Sequence, residues 1–286
     1  MSKLKSLSLA APLLTLLAGA ASQAATDYDK ARALGLTLGK TQYPDEVRQY
    51  LASLDDAFSK HDYTTFGAKM RSPGDGPKVV ASLDWAQANM IMGASIIVPI
   101  IYAESLWSIG SSAPPGNALA NFKDTAAMVT LYSLAVIQAD AAQCADPSAP
   151  THHRDSTAAH LRPVLNYFGQ LPDDKRKQIV DFALKQEALS YPSRTHDNYL
   201  CRFGMEEITA GLKATPLEQL PHRAPQGNEV GTQVSVPSPP GFEPRYLPDE
   251  TWRPKQAEAR ERLPASLTAL SDTLHKQTTA PVQPTK

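Results

Sequence analysis

The chain has 286 residues, with 28 Lys and Arg against 29 Asp and Glu. This near-balance, with no basic run, gives no electrostatic footing for a nucleic acid or an anionic membrane surface. An apolar content of 42% suits a packed globule and excludes a disordered chain. Period-2 alternation is scarce, and Ala, Leu and Met fill the apolar stretches, so helix is the expected structure.

The first 24 residues read as a cleavable secretory signal. Lys3 and Lys5 form a positive start and Leu7 to Leu17 an apolar stretch. Ser22-Gln23-Ala24 supplies the small residue that a signal peptidase needs, so the cut is placed after Ala24. The apolar run is too short to span a bilayer. Ala20 stands where a lipoprotein would carry its cysteine. Without the two leader lysines, 26 basic residues face 29 acidic ones, a net charge of −3. The expected location is the periplasm of a Gram-negative bacterium, or the medium beyond it. In an oxidising compartment Cys144 and Cys201, the only cysteines, are expected to form a disulfide. The alternative is two free buried thiols.

From residue 25 to 214 the pattern predicts a single all-α domain. Asp27 can cap a first helix carrying Ala31, Leu34 and Leu38. Pro44, Asp45 and Glu46 open a second, whose stripe is Val47, Tyr50, Leu51, Leu54 and Phe58. The segment Leu34-Gly35-Leu36-Thr37-Leu38-Gly39-Lys40 with this second helix resembles the N-terminal dimerisation segment of periplasmic FKBP-type prolyl isomerases. The resemblance covers about 35 residues. It implies a possible homodimer and no isomerase activity, because the catalytic domain has no counterpart here. Within a monomer, Gly35 and Gly39 would instead let one helix approach another closely.

Asp62 can cap a short helix through Met70, and Ser72 to Pro77 form a turn. One long helix is then expected from Lys78 to Ser108, kinked at Pro99, with 19 uncharged residues from Trp85 to Ala103. Gln87, Asn89 and Ser95 interrupt its apolar run, which favours a buried core helix over a stable membrane span. After Pro114-Pro115-Gly116-Asn117 a second apolar helix runs to about Gln143. The two should pair antiparallel at the centre of the fold. Asp84, Asn89 and Asp140 sit on these helices and are expected to fix their register or line a cavity.

Cys144 to Asp155 reads as a loop, followed by helices at Ser156 to Gln170, from Pro172 onward with Ile179, Phe182, Ala183 and Leu189, and at Asn198 to Leu212. The last carries Cys201, Met205, Ile208 and Leu212 on one stripe. Residues 215–254 are a Pro-rich extended arm expected to strap onto the helical body, with Phe242, Tyr246 and Trp252 as candidate binding residues. A C-terminal helix over 255–277 is interrupted by Pro264, and 278–286 form a disordered tail.

Two groups could carry chemistry. His152, His153, Asp155 and His160 follow Cys144, and His196-Asp197 precede Cys201, so a bridge would bring them together as divalent-metal ligands. The alternative is solvated histidines beside a bridge. Glu104 ends an apolar stretch in Tyr102-Ala103-Glu104-Ser105 and is a candidate general acid. With Thr125-Ala126-Ala127 it resembles the cell-wall lytic transglycosylases, which place a catalytic Glu followed by Ser at a helix end. Their Gly-Leu-Met-Gln stretch is missing, with Ala118-Leu119-Ala120-Asn121 in its place. The alternative is a Glu that marks where a buried helix meets water. Neither a phosphate-cradling Gly-rich loop nor a Gly-x-Ser-x-Gly elbow nor a His-Glu-x-x-His pair occurs, so no cofactor is expected.

The reading that emerges is a non-catalytic periplasmic protein that binds another protein, such as an inhibitor, an assembly factor or an immunity protein against a cell-envelope toxin. The alternatives are a cell-envelope hydrolase or lytic enzyme, metal-assisted through His152, His153, His160 and His196 or acid-catalysed through Glu104, and a lipid or small-molecule carrier.

Overall fold

The computed structural model describes residues 43–114, 118–223 and 233–279. The signal segment, the Asp27 helix and the Gly35–Gly39 motif lie outside the described residues. The fold is all-α. Among the described residues there are ten α-helices, and the extended structure is a two-residue antiparallel ladder that pairs His222–Arg223 with Gln233–Val234.

Helix α1 (Asp45–Ser59) buries Val47, Leu51 and Leu54 of the expected stripe together with Ala57, while Tyr50 and Phe58 are half-buried, and Asp45 and Glu46 stand at its positive end. Helix α2 (Tyr63–Arg71) is capped by Asp62, whose carboxylate accepts the Thr65 N–H. Asp75 does the same for Lys78 at the start of α3 (Gly76–Ile91).

The expected single helix from Lys78 to Ser108 is in fact two, α3 and α4 (Ile97–Ser112). The break falls at Met92–Ile96 rather than at Pro99. Gly93 adopts a φ of +72°, and a Cβ there would lie 2.9 Å from the Arg194 backbone, so glycine is required at this crossing. Pro99 sits in the first turn of α4, where its missing N–H costs nothing because first-turn amides have no intrahelical partner. The start of α4 is capped from a distance: Asp197 accepts the Ile96 N–H at 2.8 Å and the Ser95 hydroxyl at 2.6 Å.

Helix α5 (Phe122–Asp140) is the hub of the fold. The segment Phe122–Gln143 is long and apolar enough to cross a membrane, yet 72% of its most apolar window is buried among other helices. It runs antiparallel to α4. At one end Gly110 lies against Lys123. At the other, Asp197 ties Ile96 to Gln143, whose side-chain oxygen accepts the Asp197 N–H at 2.7 Å.

The expected helix from Ser156 to Gln170 begins earlier and is divided. Helix α6 (Ser148–His160) ends at Leu161 because Pro163 has no N–H to donate to the Ala159 carbonyl and its ring would clash there, and α7 (Arg162–Gln170) then carries that proline in its first turn. Helix α8 (Asp173–Ser190) packs on α5. Phe182 and Leu189, expected on its apolar stripe, are half-buried, and its buried face includes Arg176, Gln186 and Glu187.

The helix expected over Asn198–Leu212 is shorter, α9 (Met205–Ala214). Cys201 therefore lies in the turns before it, and Phe203 there has a φ of +66°. The disulfide Cys144–Cys201 is formed, with a Cα–Cα distance of 5.2 Å.

The C-terminal helix α10 (Asp249–Thr279) starts six residues before the expected 255 and passes through Pro264 without a break. A mid-helix proline forfeits one backbone bond. The helix continues because Trp252, Leu263, Leu267 and Leu274 on one face are buried against the body. It packs tightly on Gly169 of α7, where a Cβ would stand 2.7 Å from the Leu274 carbonyl. Residues 280–286 of the expected tail lie outside the described residues.

Candidate functional site

Helix α9 inverts the usual relation between an amphipathic helix and its core. Met205, Ile208 and Leu212 recur at i, i+3 and i+7 and so share a face. That face points outward: Met205 is 58% exposed and Leu212 44%, with Ile208 half-buried. Leu217, just past the helix, is 63% exposed. The buried side is Glu207 and Gly211.

Gly211 is buried because the Pro-rich arm runs across it, where a Cβ would meet the Pro237 carbonyl and Val236. Glu207 is held by a multiply bonded Arg202 fork and also accepts the Phe203 N–H. Arg202 holds the Glu207 carboxyl below its usual range against the opposing effect of burial. Asp146 accepts the Ser148 N–H at 2.9 Å and the Glu206 N–H at 2.8 Å, so one carboxylate serves the starts of both α6 and α9. The disulfide joins the segments that carry these two starts. The apolar ridge is thus presented on a helix fixed at its base by a cap, an ion pair, a crosslink and the arm.

The arm is a strap laid on the body, not a loose linker. From residue 235 onward, Ser235 donates to the Pro221 carbonyl, Ser238 accepts from Arg202, and Glu243 accepts from Asn198 at 3.0 Å. Phe242 lies under the Arg202 guanidinium at 5.5 Å. Tyr246 stacks on His196 with ring centres 4.3 Å apart. Trp252 is fully buried in α10 and donates to Asp249. Of the three candidate binding aromatics, Trp252 is therefore an internal anchor, and Phe242 and Tyr246 are engaged within the chain.

The candidate histidines do not converge. His153 is not in a loop but on α6, buried against Tyr199 and Phe203, and its Nε2 lies 3.2 Å from the Arg202 carbonyl. His152 is exposed beside it. His160 pairs with Glu104, and His196 lies 3.6 Å from Asp249. Among the described residues no three His, Cys, Asp or Glu groups gather as a metal site would require. Asp155 pairs with Arg154.

Burial, with the neighbouring His152 charge, pushes the His153 imidazole down to about 4. The unfolded chain would take up this proton near pH 6.5 and the folded one would resist it, so stability is lost as pH falls from about 6.5 towards 4. Between pH 7 and pH 5 the wild type should lose about 2 kcal/mol more than His153→Gln. Urea denaturation of both proteins at the two pH values measures that difference.

Glu104 is engaged on both oxygens. Arg71 Nε donates to Oε2 at 2.7 Å, and the His160 Nε2 is 2.7 Å from Oε1. The carboxylate bridges α2, α4 and α6, an arrangement that ties helices together and leaves neither oxygen turned freely to a substrate.

A second polar centre, of which the sequence singles out Asp140 but not Arg194, Glu187 or Arg260, lies under α10. Arg194 is buried and contacts Asp140 at 3.0 Å as well as Glu187. Arg260 of α10 reaches Glu187 at 2.8 Å and 3.1 Å, and Gln256 donates to Asp140 at 2.6 Å. Tyr191 lies between the two guanidiniums, 3.5 Å from Arg260 and 5.4 Å from Arg194. Burial pushes the Asp140 carboxyl up, against the pull of Arg194 and Gln256. Asp140 therefore joins α5 to α10. Asp84 accepts from Tyr43, whereas the Asn89 side chain donates to the Trp85 carbonyl of its own helix.

Comparison with protein-family models, curated proteins and solved structures finds no match for this chain.

Proposed function

We propose that this protein is exported through its N-terminal signal and acts without catalysis, by inserting the apolar ridge of α9 into a groove of another protein. The observation that carries this reading is the exposure of Met205 and Leu212 on a helix whose base is fixed, with exposed Leu217 just past its end. A fixed helix loses little further freedom on binding, which is what makes a preorganised surface effective. Apolar anchors at i, i+3 and i+7 match the spacing with which a helix lies in a groove. A convex ridge needs a concave occupant, so the partner expected is a protein with an apolar cleft. An inhibitor or an immunity protein that plugs a cell-envelope toxin would have this form. The disulfide accords with an oxidising compartment.

The test places a photo-crosslinking residue at Met205 and, as a control, at exposed Glu258, in cells that make the full chain. The expected result is one discrete adduct with a different protein from position 205 alone. Met205→Asp with Leu212→Asp should abolish recovery of that partner and leave the melting temperature within a few degrees. An adduct of the chain with itself, equal labelling from both positions, or a partner retained by the double variant would overturn the reading. Recovery of the uncleaved chain from the cytosol would overturn export.

A further inference from the structure

The disulfide lies beneath the strap, and the strap is bonded to both of the segments that the disulfide joins. On the Cys144 side, the Ala145 N–H donates to the Arg245 carbonyl at 3.0 Å and the Leu247 N–H donates to the Gln143 carbonyl at 2.8 Å. Tyr246 pairs with Cys144 as an antiparallel bridge. On the Cys201 side, Asn198 bonds Glu243, and Arg202 bonds Ser238 and covers Phe242. The platform for the strap is thus two chain segments, 57 positions apart in sequence, held side by side by one covalent bond. In turn the cysteines are only 4% and 5% exposed.

We propose that disulfide and strap form a redox-sensitive latch: the Cys144–Cys201 bond keeps residues 235–248 docked, and the docked strap shields that bond from reductants. The two states are linked thermodynamically. Whatever factor the bond adds to strap docking, docking adds to the resistance of the bond to reduction. The reductant is a dithiol. One of its thiolates attacks a sulfur of the pair, the Cys144–Cys201 bond breaks, and a mixed disulfide forms. Its second thiol then closes the dithiol into its own disulfide. Two electrons and two protons pass to the cysteines, which leave as free thiols. Reduction releases the strap from Arg202 and from Gly211 on the inner face of α9, while α10 stays anchored through Trp252 and Gln256.

The experiment uses the folded full chain and dithiothreitol without denaturant. Thiol appearance is followed by alkylation and mass spectrometry, and hydrogen exchange is followed at individual amides. In the wild type, reduction should be slow. Tyr246→Ala, and separately Glu243→Ala, should each speed it by at least roughly tenfold, the second variant serving if the first fails to fold. In the reduced wild type, the Ala145 and Leu247 amides should lose protection while those of α5 keep it. Equal reduction rates in wild type and variants would overturn the latch. So would unchanged protection at Ala145 and Leu247 after reduction, or loss of protection across α5 at the same time. These outcomes do not depend on partner binding by the α9 ridge.

Discussion

Arg194→Met should lower the stability of this protein by about 3–5 kcal/mol, the range expected when one member of a buried ion pair is removed. The guanidinium is 2% exposed, and it faces Asp140 and Glu187, both buried. Taking it away leaves Asp140 with Gln256 as its remaining side-chain donor and Glu187 with Arg260. It also removes bonds to the Ser190 hydroxyl and the Glu187 carbonyl. For a domain of this size the melting temperature should fall by roughly 10 °C. The damage is to uncompensated carboxylates and not to packing volume. Adding Asp140→Asn and Glu187→Gln to Arg194→Met should therefore restore much of the loss. Calorimetry on the single and triple variants checks both statements, and a triple variant no better than the single would refute the electrostatic account.

Replacing both cysteines by serine should cost about 4 kcal/mol in the chain-entropy account of a crosslink, given a sequence separation of 57. Much of that effect resides in the unfolded chain, which becomes free to expand. The denaturant midpoint should fall and the m-value should rise. Chemical denaturation of oxidised wild type and Cys144→Ser/Cys201→Ser measures the two together. A lower midpoint at constant m-value would indicate that the bond acts mainly on the folded state.

The two predictions concern different joints of the same molecule. The ionic centre fastens α10 to the helical body, and the crosslink fastens the platform under the strap. Arg194 lies away from the α9 ridge, so partner binding at Met205 and Leu212 in the Arg194 variants reads stability alone, whereas the cysteine variants also loosen the base of that ridge.

Much of the helical plan is legible in local chemistry. Pro44 with Asp45 and Glu46, Asp62 before Tyr63, and Pro172 with Asp173 and Asp174 mark helix starts that the structure reproduces. The reason is that caps and dipole effects act within one turn. Breaks are less legible when their cause is distant. The division of Lys78–Ser108 depends on Arg194 crossing at Gly93 and on Asp197 capping Ile96, contacts about a hundred positions apart in sequence. Pro99 and Pro264 are misleading for the same reason. One falls in a first turn created by that remote cap, and the other is carried through by tertiary packing. The stripe of Met205, Ile208 and Leu212 is visible from spacing, but spacing gives no direction. Its outward aim follows from the strap that occupies the opposite side at Gly211.

By itself, then, the order of residues determined that this chain is helical, where several of its helices begin, and that two apolar helices lie at its centre, and it led to the expectation that its two cysteines pair. Only the tertiary structure decided which polar groups meet inside, which histidines part company, where on the body the Pro-rich arm is bonded, and which apolar face is left to solvent. Local propensity and capping are interactions over a few residues, whereas burial is a property of the assembled chain.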